Sequence, residues 1–436
     1  MFMYYLKLAW RSLRRNGVLT SLMIMAIAVG IGACMTTMTV FRAMSGDPIP
    51  QKSRQLFAVQ IDNWGPGQST QRADHLQDQL SYLDGAGLMQ AHAARRQSAM
   101  FLTNLAVRYP DVKQKPTREF TRAAYSDFFS MFDVPFAFGH AWSSAEDEGR
   151  AAVVVLSQDM NQKLFGGANS VGRTVSLGNE SYTVVGVLGR WHLIPHFYDL
   201  HVLPFGESDA LFIPFTRAIE KQMGNVGSNS CNTTPAAGWS GKLQSECVWM
   251  QFWVELPTAV EAQKYRTFLD NYASEQRRVG RFNWPPRTQL RDVRQWLQYC
   301  NVVPSEVNIL LLVSLGFLLV CLMNAMGLML AKIMGRAGDI GVRRALGASR
   351  AAIFVQCLIE TAVVGLAGGL FGLVLTAVGL FAARQLLVQD FVLLTHLDVV
   401  DTCIAVLLAV FATMAAGLYP TWRAAQTQPA WQIKAV

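Results

Sequence analysis

Four stretches of this chain run for more than twenty residues without a charged side chain: Val18 to Phe41, the segment between Glu306 and Lys332, Thr361 to Ala383, and the segment between Asp401 and Arg423. A helix of about 20 apolar residues crosses a ~30 Å hydrocarbon layer, so each is predicted to be a transmembrane helix. The third helix is expected to begin near Ala352, which places Glu360 inside it or at its end. Only 16% of the 436 residues are charged, against about 25% in ordinary soluble domains, which argues against a soluble multidomain enzyme. The 51% hydrophobic content excludes disorder.

The net charge of +8 raises the question of a nucleic-acid partner, and the positions of the basic residues answer it. Lys7, Arg11, Arg14 and Arg15 precede the first span; Lys332, Arg336, Arg343, Arg344 and Arg350, against Asp339, lie between the second and third; Arg423 and Lys434 follow Tyr419. These segments carry more than the whole net charge, so the rest of the chain is slightly acidic and no nucleic-acid partner is expected. Lys and Arg flanking apolar spans are retained in the cytoplasm. Both termini are therefore predicted to be cytoplasmic, with the segment from 44 to 304 and a short loop at 384–400 outside.

The expected organisation is an amphipathic inner-face helix at 1–17, spans at 18–43, 305–333, 352–383 and 401–420, a cytoplasmic loop at 334–351 and a cytoplasmic tail at 421–436. In the first of these segments Leu6, Ala9, Trp10 and Leu13 share a face opposite the basic residues. Ala43-Met44-Ser45 resembles a signal cleavage site, but the apolar run before it is longer than the 7 to 15 residues of a signal peptide core. The first span is thus expected to be retained.

The fold class read from these patterns is an α-helical membrane protein with four transmembrane helices plus an extracytoplasmic α+β domain. Within that domain Val153–Leu156, Leu211–Phe215 and Val248–Leu256 read as strands, and Thr174–Leu177 with Tyr182–Val187 reads as a hairpin about Gly178-Asn179. Ala262–Arg278 and Gln289–Tyr299 have helical spacing. Gly224 to Cys247 has the composition of a long loop. Cys231 and Cys247, sixteen positions apart, are expected to pair in an oxidising compartment, the alternatives being free thiols or a link to Cys300. Cys34, Cys321, Cys357 and Cys403 fall in the spans as small apolar residues.

Two apparent chemical sites fail on context. Gly167 to Thr174 has the spacing of a phosphate-binding loop, but Arg173 replaces its lysine and a strand rather than a helix follows. His192, His196, Asp199 and His201 suggest metal ligands, yet Pro195 interrupts the helical spacing they would need. No catalytic residues and no metal site are expected, so the chain reads as a non-catalytic membrane subunit rather than an enzyme.

The cytoplasmic segment Asp339-Ile-Gly-Val-Arg-Arg-Ala-Leu-Gly347-Ala-Ser349 is short, cationic and amphipathic, suited either to anchoring topology or to docking in a groove. Together with Gln356-Cys-Leu-Ile-Glu360, Gly365-Leu-Ala-Gly368-Gly369-Leu-Phe-Gly372 and Gly417-Leu-Tyr-Pro420-Thr-Trp-Arg423, it resembles the permease signature of the FtsX-like family of ABC transporters. Leu156-Ser157, Leu164-Phe165-Gly166-Gly167, Val171-Gly172-Arg173-Thr174 and Tyr182 to Val187 are similar to the MacB-type periplasmic core of that family.

The resemblance implies an inner-membrane permease of the mechanotransmission type, paired with a second copy or a paralogue, whose ATPase is a separate polypeptide because only residues 1–17 precede the first span. ATP and magnesium would bind that partner, with no cofactor in this chain. Coupling to the ATPase falls on Asp339, Ile340, Gly341, Arg343, Arg344, Ala345, Leu346, Gly347 and Ala348. Gly365, Gly368, Gly369 and Gly372 would permit close helix packing, within the chain or between copies. Glu360 is expected near the inner surface, bonded to the coupling segment or to an arginine, rather than in a proton relay. The implied function is ATP-driven export or extraction of a hydrophobic or peptide-like molecule, with a periplasmic adaptor and an outer-membrane channel as further candidate partners. The alternative is mechanical control of a periplasmic hydrolase or sensor without transport.

Overall fold

The computed structural model describes residues 17–65, 76–109, 115–202, 204–206, 209–285, 287–303, 305–386 and 399–426. The amphipathic segment at 1–16, most of the short loop at 384–400 and the tail beyond 426 lie outside the described residues. The chain divides into two compact units, residues 46–302 and the remainder.

In chain order the described elements begin with α1 (Gly17–Ser45), β1 (Leu56–Ile61), β2 (Leu80–Ser81), α2 (Tyr82–Ala91), β3 (Arg96–Arg108), β4 (Thr117–Ala124) and α3 (Asp127–Met131). They continue with β5 (Phe136–Gly139), α4 (Ser144–Glu148), β6 (Val153–Leu156), α5 (Gln158–Phe165), β7 (Thr174–Leu177), β8 (Glu180–Leu188), β9 (Leu211–Pro214), α6 (Phe215–Glu220), α7 (Gly238–Leu243) and β10 (Val248–Glu255). The remaining elements are α8 (Ala259–Arg278), β11 (Thr288–Asp292), α9 (Val293–Tyr299), α10 (Ser305–Met334), α11 (Ala337–Ala345), α12 (Arg350–Leu386) and α13 (Val399–Gln426).

In the unit spanning 46–302, a mixed sheet runs β11-β1-β10-β3-β4-β9-β6-β8-β5, with β2 on β10. The β7–β8 hairpin also pairs with β3, so β3, β4, β9, β6, β8 and β7 form a hydrogen-bonded ring. Alternating side chains enter two different cores. Phe57, Phe101, Leu211 and Val254 pack in one, and Ala58, Met100, Phe212 and Trp253 in the other. Strands covered on both faces lose the polar alternation that marks a half-buried strand, so β6, β9 and β10 stand out as short apolar runs.

The helical reading of Gln289–Tyr299 is corrected. Thr288–Asp292 is a strand that pairs antiparallel with β1, and the helix begins only after Asp292. Asp292 accepts from the Gln295 amide while the Gln295 side chain accepts from the Asp292 amide, a capping box that marks the true helix start. Long-range pairing with β1 overrides local helical spacing here. The same cap, made by Thr258 and Glu261, starts α8.

In the other unit, α1 packs against α10 and α12, and α12 packs against α13. Among the described residues three helices, at Gly17–Ser45, Glu306–Met334 and Arg350–Ala382, are long and apolar enough to cross a membrane. The fourth candidate carries a shorter apolar stretch, Leu407–Trp422, and contains Pro420.

Candidate functional site

The segment singled out for coupling forms α11, joined to α10 through Gly335 and Arg336 and to α12 through Leu346 to Ser349. Gly347 takes φ +98°, a left-handed conformation that glycine tolerates without steric cost, and so ends the helix sharply. The Ser349 hydroxyl then accepts from the Ala352 amide, capping the first turn of α12. Asp339 in the first turn of α11 and Arg343 and Arg344 in its last complement the helix dipole.

The periodicity of α11 separates its side chains. Val342 and Leu346, four positions apart, are 58% and 83% exposed, and Arg343 and Ala345 are exposed beside them. Asp339 and Gly347 are also exposed, while Ile340, Gly341, Arg344 and Ala348 are half-buried. The helix thus presents an apolar pair and a guanidinium to its surroundings. Arg343 also donates from Nη1 to Gln356 Oε1 of α12 at 3.2 Å.

Beneath this helix lies a buried polar cluster. Lys332 Nζ of α10 is 2.5 Å from Glu360 Oε1 of α12, and Arg336 Nη1 is 3.6 Å from the same oxygen. Lys332 also donates to Thr20 Oγ1 of α1 at 3.3 Å, so three long helices converge there. Glu360 therefore meets an arginine beside the loop, as expected, and also Lys332, which in the sequence stands only as one of a basic cluster. Its isolation in an apolar helix was the available signal, because a buried carboxylate needs a partner.

The glycines of α12 sit within the chain's own helix contacts. A Cβ on Gly368 would lie 2.6 Å from Ile27 Cγ2, and one on Gly372 would lie 2.8 Å from Ile31 Cγ2, both on α1. A Cβ on Gly365 would collide with Thr413 Oγ1 of α13. Gly369 is buried in the same helix.

In the sheet-bearing unit, Cys231 and Cys247 are bonded to each other and Cys300 is a free thiol. Lys242, within the loop they close, lies 4.3 Å from the centre of the Trp249 ring and donates to Asn225, and its burial lowers its pKa. The segment resembling a phosphate loop is occupied by its own contacts. Ser170 Oγ donates to Asn161, Asn161 Nδ2 donates to Ala168 O, and Arg173 lies over the Phe165 ring.

In the suspected metal-ligand group, Asp199 and His201 are engaged with other side chains. Asp199 takes a hydrogen bond from Arg122 Nη1 at 2.5 Å and another from Gln251 Nε2 at 3.0 Å. His201 lies 3.4 Å from Asp78. Burial pulls the His201 imidazole down, but Asp78 and Asp199 more than offset this and hold it above the ordinary value. Among the described residues, no group of histidine, cysteine and carboxylate side chains is arranged to hold a metal ion.

Two family models match the chain. A family model described as the MacB-like periplasmic core domain matches residues 20–265, and the FtsX-like permease C-terminal model matches residues 311–429. The macrolide export ATP-binding/permease protein MacB of Shigella boydii serotype 4 (strain Sb227) is 24% identical over 425 residues, covering 96% of this chain and 58% of that protein. MacB of Escherichia coli (strain K12) is 24% identical over 390 residues, covering 88% of this chain and 53% of that protein. The chain thus spans little more than half the length of these relatives. The crystal structure of the periplasmic region of MacB from Actinobacillus actinomycetemcomitans aligns over 58% of this chain and 95% of its own, with TM-score 0.37 and 14% identity. On the two family matches, this chain, with its apolar helices and its separate sheet-bearing unit, belongs to the FtsX-like, MacB-type family of ABC transporter permeases.

Proposed function

We propose that the chain is the membrane subunit of an ABC transporter in which ATP hydrolysis by a separate polypeptide is coupled through α11 to movement of the 46–302 unit on the far side of the membrane. The observation that carries this reading is the exposure of Val342 on, and of Leu346 at the C-terminal cap of, a short arginine-bearing helix between two long apolar helices. An apolar anchor with flanking cations fits a groove on a partner protein. Asp339 to Ala348 supply the contact, and ATP with magnesium belongs to the partner.

In this reading α13 is the fourth span, since α12 packs along it. The basic residues of the α10–α12 loop, with the positive-inside rule, favour an inner-membrane orientation with both termini cytoplasmic. A second copy or a paralogue completes the permease, and a periplasmic adaptor with an outer-membrane channel extends it. The names of these relatives refer to macrolide export. For this chain the proposed cargo class is a hydrophobic or peptide-like molecule, exported or extracted as the outer unit moves.

The test is co-purification of the full chain with candidate ABC ATPases. Wild-type protein is expected to retain one such subunit and stimulate its hydrolysis, while Gly341→Asp and Leu346→Asp abolish both. Association and stimulation that survive these changes would remove α11 from the coupling role. ATP hydrolysis by the purified chain alone, or protease access to 46–302 from the side of the termini, would overturn the reading itself.

A further inference from the structure

We propose that Glu360 is a positioning residue: its carboxylate, held by Lys332 and Arg336, locks the elbow formed by α10, α11 and α12, so that a force on α11 moves both long helices as one body. The inference rests on the proposed coupling role of α11 and extends it to a residue that no partner would touch.

The covalent joints of the elbow are short breaks between helices. Gly335 and Arg336 separate α10 from α11, and Leu346 to Ser349, with Gly347 in the left-handed region, separate α11 from α12. Backbone of this kind bends under load unless side chains brace it. The bracing seen here is polar and graded in depth. Arg343 to Gln356 joins α11 to α12 at the surface, Arg336 to Glu360 joins the corner residue to α12 below it, and Lys332 to Glu360 joins α10 to α12 in the buried interior. Glu360 alone takes part in both of the inner ties.

Burial makes the brace directional as well as firm. The Lys332 and Glu360 side chains are 4% and 7% exposed, so water does not compete for their hydrogen bonds, and separating them would take each charge from its nearest counter-ion in an apolar setting. A joint of this kind resists opening while permitting the whole elbow to tilt. The third contact, Lys332 to Thr20, extends the brace to α1.

The experiment places a spin label at Leu346→Cys, in a background with the native free cysteines replaced, and a control label at Leu407→Cys on the exposed face of α13. Both are read in full-length protein in lipid nanodiscs without any ATPase. Glu360→Gln is expected to increase nanosecond mobility at position 346 by about two-fold or more while leaving 407 unchanged. General loosening would raise mobility at both labels, and unchanged mobility at 346 would equally overturn the proposal. Should Glu360→Gln fail to fold, Arg336→Gln decides, because it keeps the deep pair; mobility at 346 must still rise, and no rise refutes the brace. Because no ATPase is present, loss of this result leaves the coupling reading standing, and failure of ATPase co-purification leaves this result standing.

Discussion

Lys332 Nζ and Glu360 Oε1 meet at 2.5 Å in the interior of the helical unit, on two helices whose sequences are otherwise almost uninterrupted runs of apolar side chains. A charge in such a place is tolerated only with its partner present. Arg336, at 3.6 Å from the same oxygen, makes the arrangement asymmetric, with one carboxylate serving two cations. Glu360→Gln therefore removes the carboxylate that both cations meet and is expected to cost about 3–5 kcal/mol of stability. Lys332→Met leaves Arg336 as a counter-ion and is expected to cost less. The double variant should fall well short of the sum of the two. Denaturant titration in detergent micelles measures all three, and additive losses would show that the two side chains do not act as a pair.

The glycine contacts between helices make a sharper prediction. Gly365→Ala drives a methyl group into Thr413 Oγ1, which already donates to the Ala409 carbonyl at 2.6 Å within its own helix and has little freedom to move. Overpacking of this kind costs about 1–3 kcal/mol. Thr413→Ala removes the obstructing oxygen, so Gly365→Ala/Thr413→Ala is expected to recover most of the loss. Thermal unfolding of the four proteins in one detergent is the check, and a double variant no better than Gly365→Ala would contradict the assigned contact.

What could be read before folding, and what could not, follows from the range over which each signal acts. Bilayer thickness imposes a length requirement that appears directly in the sequence, which is why α1, α10 and α12 are visible as uncharged runs. The β7–β8 hairpin is local and was equally visible. By contrast, β3 begins Arg96-Gln97-Ser98 and carries Asn104 within it, polar residues whose places are set by partners far away in the chain. Gln97 donates to carbonyls of α2, and Asp127 accepts from the Gln97 amide. The strand character of β11 is likewise set by β1, although the cap at Asp292 was legible. In the candidate site the amphipathic character of α11 was legible, but exposed Val342 was not among the expected coupling residues, and the choice of Lys332 as the principal partner of Glu360 depends on how α10 and α12 are placed.

Arg122 illustrates the same dependence within the sheet-bearing unit. Its Nε and Nη2 donate to the two oxygens of Asp209, Nη1 donates to Asp199, and the guanidinium lies over the Tyr198 ring. Burial alone would lower its pKa, but the two carboxylates outweigh burial and raise it. Arg122→Met leaves both carboxylates buried without their cation and is expected to destabilise the unit by about 3–5 kcal/mol. The variant Arg122→Lys restores charge but not the forked geometry and should recover only part of this. Full recovery with lysine, measured by hydrogen exchange in β4, would show that charge alone matters.

The disulfide between Cys231 and Cys247 closes a loop whose ends are sixteen residues apart. A cross-link of this span stabilises by about 3 kcal/mol, chiefly by restricting the unfolded chain. Cys231→Ser/Cys247→Ser is expected to lower the unfolding free energy by that order, and reductant should have the same effect on the wild type but none on the variant. A wild-type protein whose thermal transition is insensitive to reductant would contradict the assignment.

Asp147 provides a pH-dependent signature with a definite sign. Burial raises its carboxyl from 3.8 to about 6, although the Ser126 amide and Trp142 Nε1 both donate to it and oppose the rise. The folded protein therefore binds this proton more tightly than the unfolded chain does. Between about pH 4 and pH 6 the folded state holds the proton and the unfolded state has lost it, so this residue's contribution to stability declines as pH rises through that window. Below the window its unfavourable effect is absent, and above it the effect is complete, on the order of 3 kcal/mol at most. Asp147→Asn keeps an acceptor for the Ser126 amide and cannot ionise. Its unfolding free energy should be flatter than the wild type's between pH 4 and 6, with the difference between the two proteins favouring the wild type most at the acid end. Parallel curves across that range would show that the Asp147 carboxyl titrates at its ordinary value.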